Sequence, residues 1–119
     1  MVLPLCRFVP AKMNNPDAVN FCLSQEAHLV EVGSQEEQDS IYQFLEKTDK
    51  DQSFIWIGLS DSTSKGDFVL SSSGKIPIYI NWGLNEPNYN GNEDCVQMHI
   101  YGKWNDRSCS TTFHAFCEK

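Results

Sequence analysis

Basic residues are scarce in this sequence. Nine lysines and arginines stand against sixteen aspartates and glutamates in 119 residues, a formal charge of −7. Such a chain repels phosphate backbones and anionic membrane surfaces, so nucleic acid and acidic lipid are poor partners and a cation is a better one. Long hydrophobic runs are missing too. The longest, such as FIWIGL at 54–59, have strand length and fall far short of a bilayer. The five cysteines at 6, 22, 95, 109 and 117 include no Cys-x-x-Cys pair, which speaks against a zinc or thioredoxin-like centre and for disulfides formed outside the cell. No Asn-x-Ser/Thr sequon occurs, so N-glycosylation is not expected. There is no internal repeat, low-complexity tract or linker-like shift in composition, and residues 1–119 are read as a single domain. The opening MVLPLC lacks the apolar core of a signal peptide, so either a leader has been removed upstream or Met1 is not native.

What is present divides the chain into two halves. RFVPAK (7–12) suits an edge strand, where a proline is tolerated. NNPDAVNFCLSQEAHL (14–29) reads as a helix with Asn15 as N-cap, Pro16 at the first helical position, and Val19, Cys22 and Leu23 on one face. A second helix opens at SQEE, where Ser34 and Glu37 have capping-box spacing, and continues through Ile41, Phe44 and Leu45. The second half turns to short β-favouring runs, FIWIGL, KIPIYINW, DCVQMHI and HAFCE, separated by Gly, Asn, Asp and Ser clusters. Helices first and strands later define an α+β fold. The turn-rich spans 60–75 and 83–93 are of a length that is usually functional or pinned.

The second of those spans contains NEPNYNGNEDC (85–95), with three carboxylates and four side-chain amides in eleven positions. A solvated loop is one account of it. The other is a hard divalent cation such as calcium, which takes six to eight oxygens from carboxylates, amides, backbone carbonyls and waters. Glu86, Asn88 and Glu93 offer three such oxygens. Trp104-Asn105-Asp106, expected in a turn just before Cys109, offers more, including the Asp106 backbone carbonyl. The intervening run DCVQMHIYGK is long enough for a strand that separates the two clusters, so a Cys95–Cys109 bond is needed to bring them together. Closing a loop of that size is worth roughly 3 kcal/mol in the chain-entropy picture. Pro87 gives the Glu86–Pro87 bond access to the cis form, although trans is the commoner state.

Taken in order, Cys22 in the first helix, AHLVEVGSQEEQDSI, WIGL (56–59), NWGLNEPN (81–88), EDCV (93–96), KWNDRSC (103–109) and FCEK at the end resemble the C-type lectin-like domain over nearly the whole chain. The resemblance implies two helices packed on short antiparallel sheets, with a long irregular calcium-binding loop region. It also implies Cys22–Cys117 and Cys95–Cys109 disulfides and a cis bond before Pro87. Cys6 looks like half of an extra N-terminal disulfide whose partner is missing, which makes it the candidate for an intermolecular bond to a second copy or a related chain.

In sugar-binding members the calcium ligands match Glu86, Asn88, Glu93, Asn105 and Asp106, with the Asp106 carbonyl as a sixth protein oxygen and two adjacent sugar hydroxyls completing the shell. Each hydroxyl then donates to Glu86 or Glu93 and accepts from the amide of Asn88 or Asn105. The Glu-Pro-Asn order resembles the version that takes mannose, N-acetylglucosamine, glucose and fucose, whereas Gln-Pro-Asp goes with galactose. Tyr89, Asn90, His99 and Arg107 are candidate rim residues, each weighed against ordinary surface exposure. Further calcium ions are not expected. Lys65 stands where the long loop would offer a carboxylate, Tyr89 follows Asn88 where an aspartate would help, and Asp61 and Asp94 facing Lys65 suit a salt bridge. Trp56, Trp82 and Trp104 are read as core.

The expected function is therefore a secreted, calcium-dependent lectin with one ion per domain, a disulfide-linked dimer serving agglutination or innate recognition of microbes by avidity. A protein-binding or ice-binding member that has abandoned sugar is the alternative, and its usual signature is erosion of the calcium ligands. An enzyme is not expected. His28, His99 and His114 are the only histidines and none lies near a recognisable nucleophile motif, and zinc-ligand spacing is absent.

Overall fold

The computed structural model describes residues 6–48, 54–88, 94–99 and 101–119, with side chains except at positions 6, 7, 10 and 48. Strand β1 (Cys6–Met13) pairs antiparallel with β7 (Phe113–Glu118), and their register breaks between Phe8 and Lys12. Pro10 falls inside that break, where its missing N–H would otherwise interrupt the ladder.

Helix α1 (Asn15–Ser24) follows, one residue earlier than the sequence suggested. Asn14, not Asn15, is the N-cap, its Oδ1 accepting from the backbone N–H of Asp17 at 2.9 Å. Two adjacent asparagines have equal capping chemistry, and tertiary contact decides between them: Asn15 is buried and its N–H donates to the carbonyl of Cys109 at 2.9 Å. After β2 (His28–Leu29) comes α2 (Gln35–Thr48). Ser34 Oγ accepts from the Glu37 N–H at 3.1 Å, as in a capping box. The Glu37 carboxylate reaches back one residue further than expected, to the N–H of Gly33 at 2.7 Å.

Strand β3 (Phe54–Ser60) is the middle of a single sheet ordered β1-β7-β3-β5-β6, with β2 on β7 and β4 (Val69–Leu70) on β3. β5 (Cys95–His99) and β6 (Trp104–Arg107) form its far edge. The α+β class is as expected. The strands share one sheet, and β3–β7 is a parallel pair among antiparallel neighbours. Alternation along β3 explains why both its faces are buried. Ile55, Ile57 and Leu59 join Ile41 and Leu45 of α2, while Trp56 joins Ala18 and Cys22 of α1. Burial of Trp56 and Trp104, with Trp82 packed against the core, matches the core reading of all three.

One expected strand is not there. Residues 75–82 contribute only an isolated bridge between Trp82 and Trp104. The two-residue alternation is real as far as Asn81, but it turns Tyr79 toward the core and leaves Ile76, Ile78 and Ile80 at 80%, 95% and 60% exposure, and it breaks at Trp82, which also packs on the core. Pro77 removes a ladder donor in the middle of the run. No helix among the described residues is long and apolar enough to cross a membrane.

Candidate functional site

The site is assembled on β6. Trp104-Asn105-Asp106-Arg107 is a strand, not the turn expected from its polar composition, and it pairs with β5 in the register Cys95↔Arg107, Val96↔Asp106, Gln97↔Asn105 and Met98↔Trp104. Strands β5 and β6 therefore lie side by side, and the stretch between the two acidic clusters does not hold them apart. The ladder itself brings Asp106 beside Val96, and the Cys95–Cys109 bond, spanning 14 residues, secures the hairpin's open end. Cys22–Cys117 spans 95 residues and lies buried between α1 and the sheet. The Cys6 thiol lies outside the described side chains.

A second segment comes in alongside β6. The N–H of Trp104 donates to the Asn81 carbonyl at 2.9 Å and the N–H of Gly83 to the Trp104 carbonyl at 2.8 Å. A turn closed by Glu86 N–H to Gly83 carbonyl, 3.0 Å, then lifts Glu86 over the strand, with Asn85 at φ 63° in the left-handed region that asparagine tolerates. The Glu86–Pro87 bond is cis. A Cβ at position 83 would stand 2.9 Å from Asn105 Oδ1, so any other residue there would displace the Asn105 amide. With no Cβ at 83, the Asn105 amide has room at the foot of the turn. Sequence reasoning did not single out Gly83, although its place in WGLNEP was the available signal.

Glu86, Asn88 and Asp106 converge. The Asn88 N–H donates to Asp106 Oδ1 at 3.0 Å, the Asp106 N–H to Glu86 Oε1 at 3.4 Å, and Asn88 Nδ2 to Glu86 Oε2 at 3.5 Å. Asp106 has no solvent exposure. Burial pushes the Glu86 carboxyl up to about 7, the Asp106 carboxyl beside it pushes the same way, and the Asp106 N–H and the Arg107 charge pull it back. Two carboxyls facing one another in a half-buried place lack positive charge between them.

The remaining expected residues fall as follows. Glu93, Tyr89 and Asn90 lie outside the described residues. Arg107 stays at the cluster, its Nη1 donating to the Asp106 carbonyl at 3.1 Å. His99 does not. It sits at the far end of β5, three residues or about 10 Å along the strand from Val96, stacked on Tyr101 with Phe54 edge-on, so the rim expectation for it is corrected. A ring near the end of a predicted strand can be at either end of the hairpin, and the sequence does not say which. Lys65 Nζ is 3.0 Å from Asp94 Oδ1, the expected salt bridge. Asp61 is buried next to them, its carboxyl raised by that burial and partly relieved by the Gly66 N–H at 2.7 Å.

The described donors are all oxygens, two carboxylates and two amides, which is the chemistry of a hard cation. Among the described residues no three His, Cys, Asp or Glu side chains gather as a metal cluster; the third expected carboxylate is Glu93. The histidines are dispersed. His28 Nδ1 is 2.8 Å from the Leu29 carbonyl and buried His114 Nδ1 3.0 Å from that of Val9.

Comparison with known proteins agrees with this architecture. The sequence model of the Lectin C-type domain matches residues 11–119. The mouse low affinity immunoglobulin epsilon Fc receptor is 40% identical over 100 residues, covering 82% of this chain and 28% of the receptor. The mosquito (Aedes aegypti) C-type lectin mosGCTL-7 is 34% identical over 111 residues, covering 86% of this chain and 74% of that protein. Among solved structures, the cow C-type carbohydrate-recognition domain of CD23, in the presence of GlcNAc2Man3 oligosaccharide, superposes with a TM-score of 0.81 at 33% identity, covering 96% of this chain and 85% of that one. With the fold, both internal disulfides and a family match over all but the first ten residues, the chain belongs to the C-type lectin domain family.

Proposed function

We propose that this domain is a calcium-dependent carbohydrate-binding module that holds one ion and reads two adjacent hydroxyls of a terminal sugar. The observation that carries the reading is the convergence of Glu86, Asn88 and Asp106 within hydrogen-bond distance of one another, with the Asn105 amide close beside Gly83. Glu86, Asn88, Glu93, Asn105 and Asp106, with the Asp106 carbonyl, would hold the ion. Bound calcium supplies neutralising charge and coordination places for two hydroxyl oxygens. The chain's own groups do the rest. Glu86 and Glu93 accept the hydroxyl protons, and the amide NH2 groups of Asn88 and Asn105 donate to the same oxygens, so each hydroxyl is fully satisfied. A galactose-type sugar with an axial hydroxyl would offer its diol at another angle, and the Glu-Pro-Asn order favours mannose, N-acetylglucosamine and fucose.

A single shallow site of this kind binds weakly, and pairing two domains raises avidity. Secretion, a Cys6-linked dimer, and agglutination or innate recognition of microbes belong to the same proposal, as do a single-domain chain and the lack of enzymatic activity. A sugar-free protein-interaction module is the competing function, and no described donor position is eroded in the way that reading requires. Retention on a mannose column in calcium, released by chelator, is the expected result; retention that chelator leaves untouched counts against the proposal. Mobility on a gel that does not change with reductant counts against the dimer.

A further inference from the structure

The reading above assigns the backbone carbonyl of Asp106 to the ion, and the inference here rests on that reading. In the structure this oxygen already has a cationic partner: Arg107 Nη1 donates to it at 3.1 Å. The guanidinium has no second hydrogen bond among the described residues. Its charge also draws the Glu86 carboxyl downward, so it acts on two of the expected ligands at once. Lys65, the other cation nearby, is committed to Asp94 at 3.0 Å. We propose that Arg107 is the resident counter-cation of the site, its guanidinium exchanging with calcium at the Asp106 carbonyl and so setting the calcium affinity of the domain.

A carbonyl oxygen has two lone pairs, so counting acceptors alone would let both partners stay. Charge forbids it. An ion about 2.4 Å from that oxygen stands no more than about 5.5 Å from Nη1, the sum of the two distances. At that separation a single and a double positive charge repel by about a factor of ten in affinity even at the dielectric of water, reduced to roughly threefold by physiological salt. The guanidinium therefore leaves as the ion is taken up. Besides that hydrogen bond, only the attraction of Glu86 holds it among the described residues, and the cost of its leaving is drawn from the calcium affinity.

Calorimetric titration of calcium, without sugar, into wild type, R107Q and R107K at low and physiological salt tests this. R107Q is expected to bind calcium roughly threefold to tenfold more tightly, with the larger gain at low salt. R107K, which keeps the charge, is expected to stay near wild type. Wild-type uptake with R107Q equal or weaker overturns the role of Arg107 and leaves the lectin reading standing. No uptake by either protein overturns the lectin reading itself. Should R107Q not fold, the arginine Nε–Hε resonances of the wild-type protein decide: one that moves on calcium addition supports the exchange, and a stationary set overturns it.

Discussion

Acidification should strip calcium from this domain through one identifiable group. Without an ion the Glu86 carboxyl is pushed up to about 7, first by burial and then by the Asp106 carboxyl facing it. A ligand carboxylate must be ionised to hold a metal. Below neutrality, uptake of the ion therefore expels a proton from Glu86, whereas a glutamate at its ordinary value of 4.5 would already be ionised. Affinity is thus full above the raised pKa and is lost as pH falls through it. With one proton released per ion, the apparent association constant drops about tenfold per pH unit below 7, and about a hundredfold by pH 5. Calorimetry at about pH 8 and about pH 5.5, each in two buffers of different ionisation enthalpy, counts the protons directly. Wild-type protein is expected to release close to one proton per ion in acid and none in base. E86Q, lacking the group, binds more weakly but with little pH dependence. A wild-type affinity that stays level across that range, with no proton released, would refute the Glu86–Asp106 coupling.

Three other outcomes follow from the same geometry. Gly83→Ala places a Cβ 2.9 Å from Asn105 Oδ1, so calcium affinity should fall about tenfold or more while the thermal midpoint moves by no more than about 3 °C; unchanged affinity would remove Asn105 from the ligand set. Urea unfolding of C95A/C109A, which opens a span of 14 residues, should show a loss of about 3 kcal/mol, against about 4.7 kcal/mol for C22A/C117A with its span of 95. Equal losses would mean that loop entropy is not what the two bonds contribute. Exchanging Glu86→Gln together with Asn88→Asp should turn a glycan array from mannose-type toward galactose-type ligands, and an unaltered profile would place selectivity in other side chains.

Much of this was legible before any coordinates. Ser34 and Glu37 announced the start of α2 because a capping box is a local device, written in four consecutive residues. Trp56 and its isoleucine neighbours announced β3 because length and β-branching together leave little else. The failures are nonlocal. Asn14 and Asn15 are chemically equivalent caps, and only the carbonyl of Cys109, far along the chain, separates them. Residues 75–82 carry a strand's alternation but meet a neighbouring strand only at their end, through the Trp82–Trp104 bridge, and periodicity cannot reveal how much of a partner is missing. Trp104 to Arg107 reads as a turn by composition, yet the hairpin with β5 makes it a strand. The oxygen donors were visible as residue types at given positions. Arg107 was visible only as a rim candidate, since nothing in a sequence says which carbonyl a guanidinium will choose.

Strand β6 leaves this domain very little freedom in the lengths it can tolerate. Trp104 and Asp106 point inward, while Asn105 and Arg107 stand half exposed, so all four positions are committed to one phase of the pleat. One residue inserted within Trp104 to Arg107 would turn the tryptophan out to water and the amide into the core, ruining framework and binding surface together. One inserted between His99 and Trp104 merely enlarges the hairpin tip. Diversification by length is thus open to the connections around the strand and closed to the strand itself.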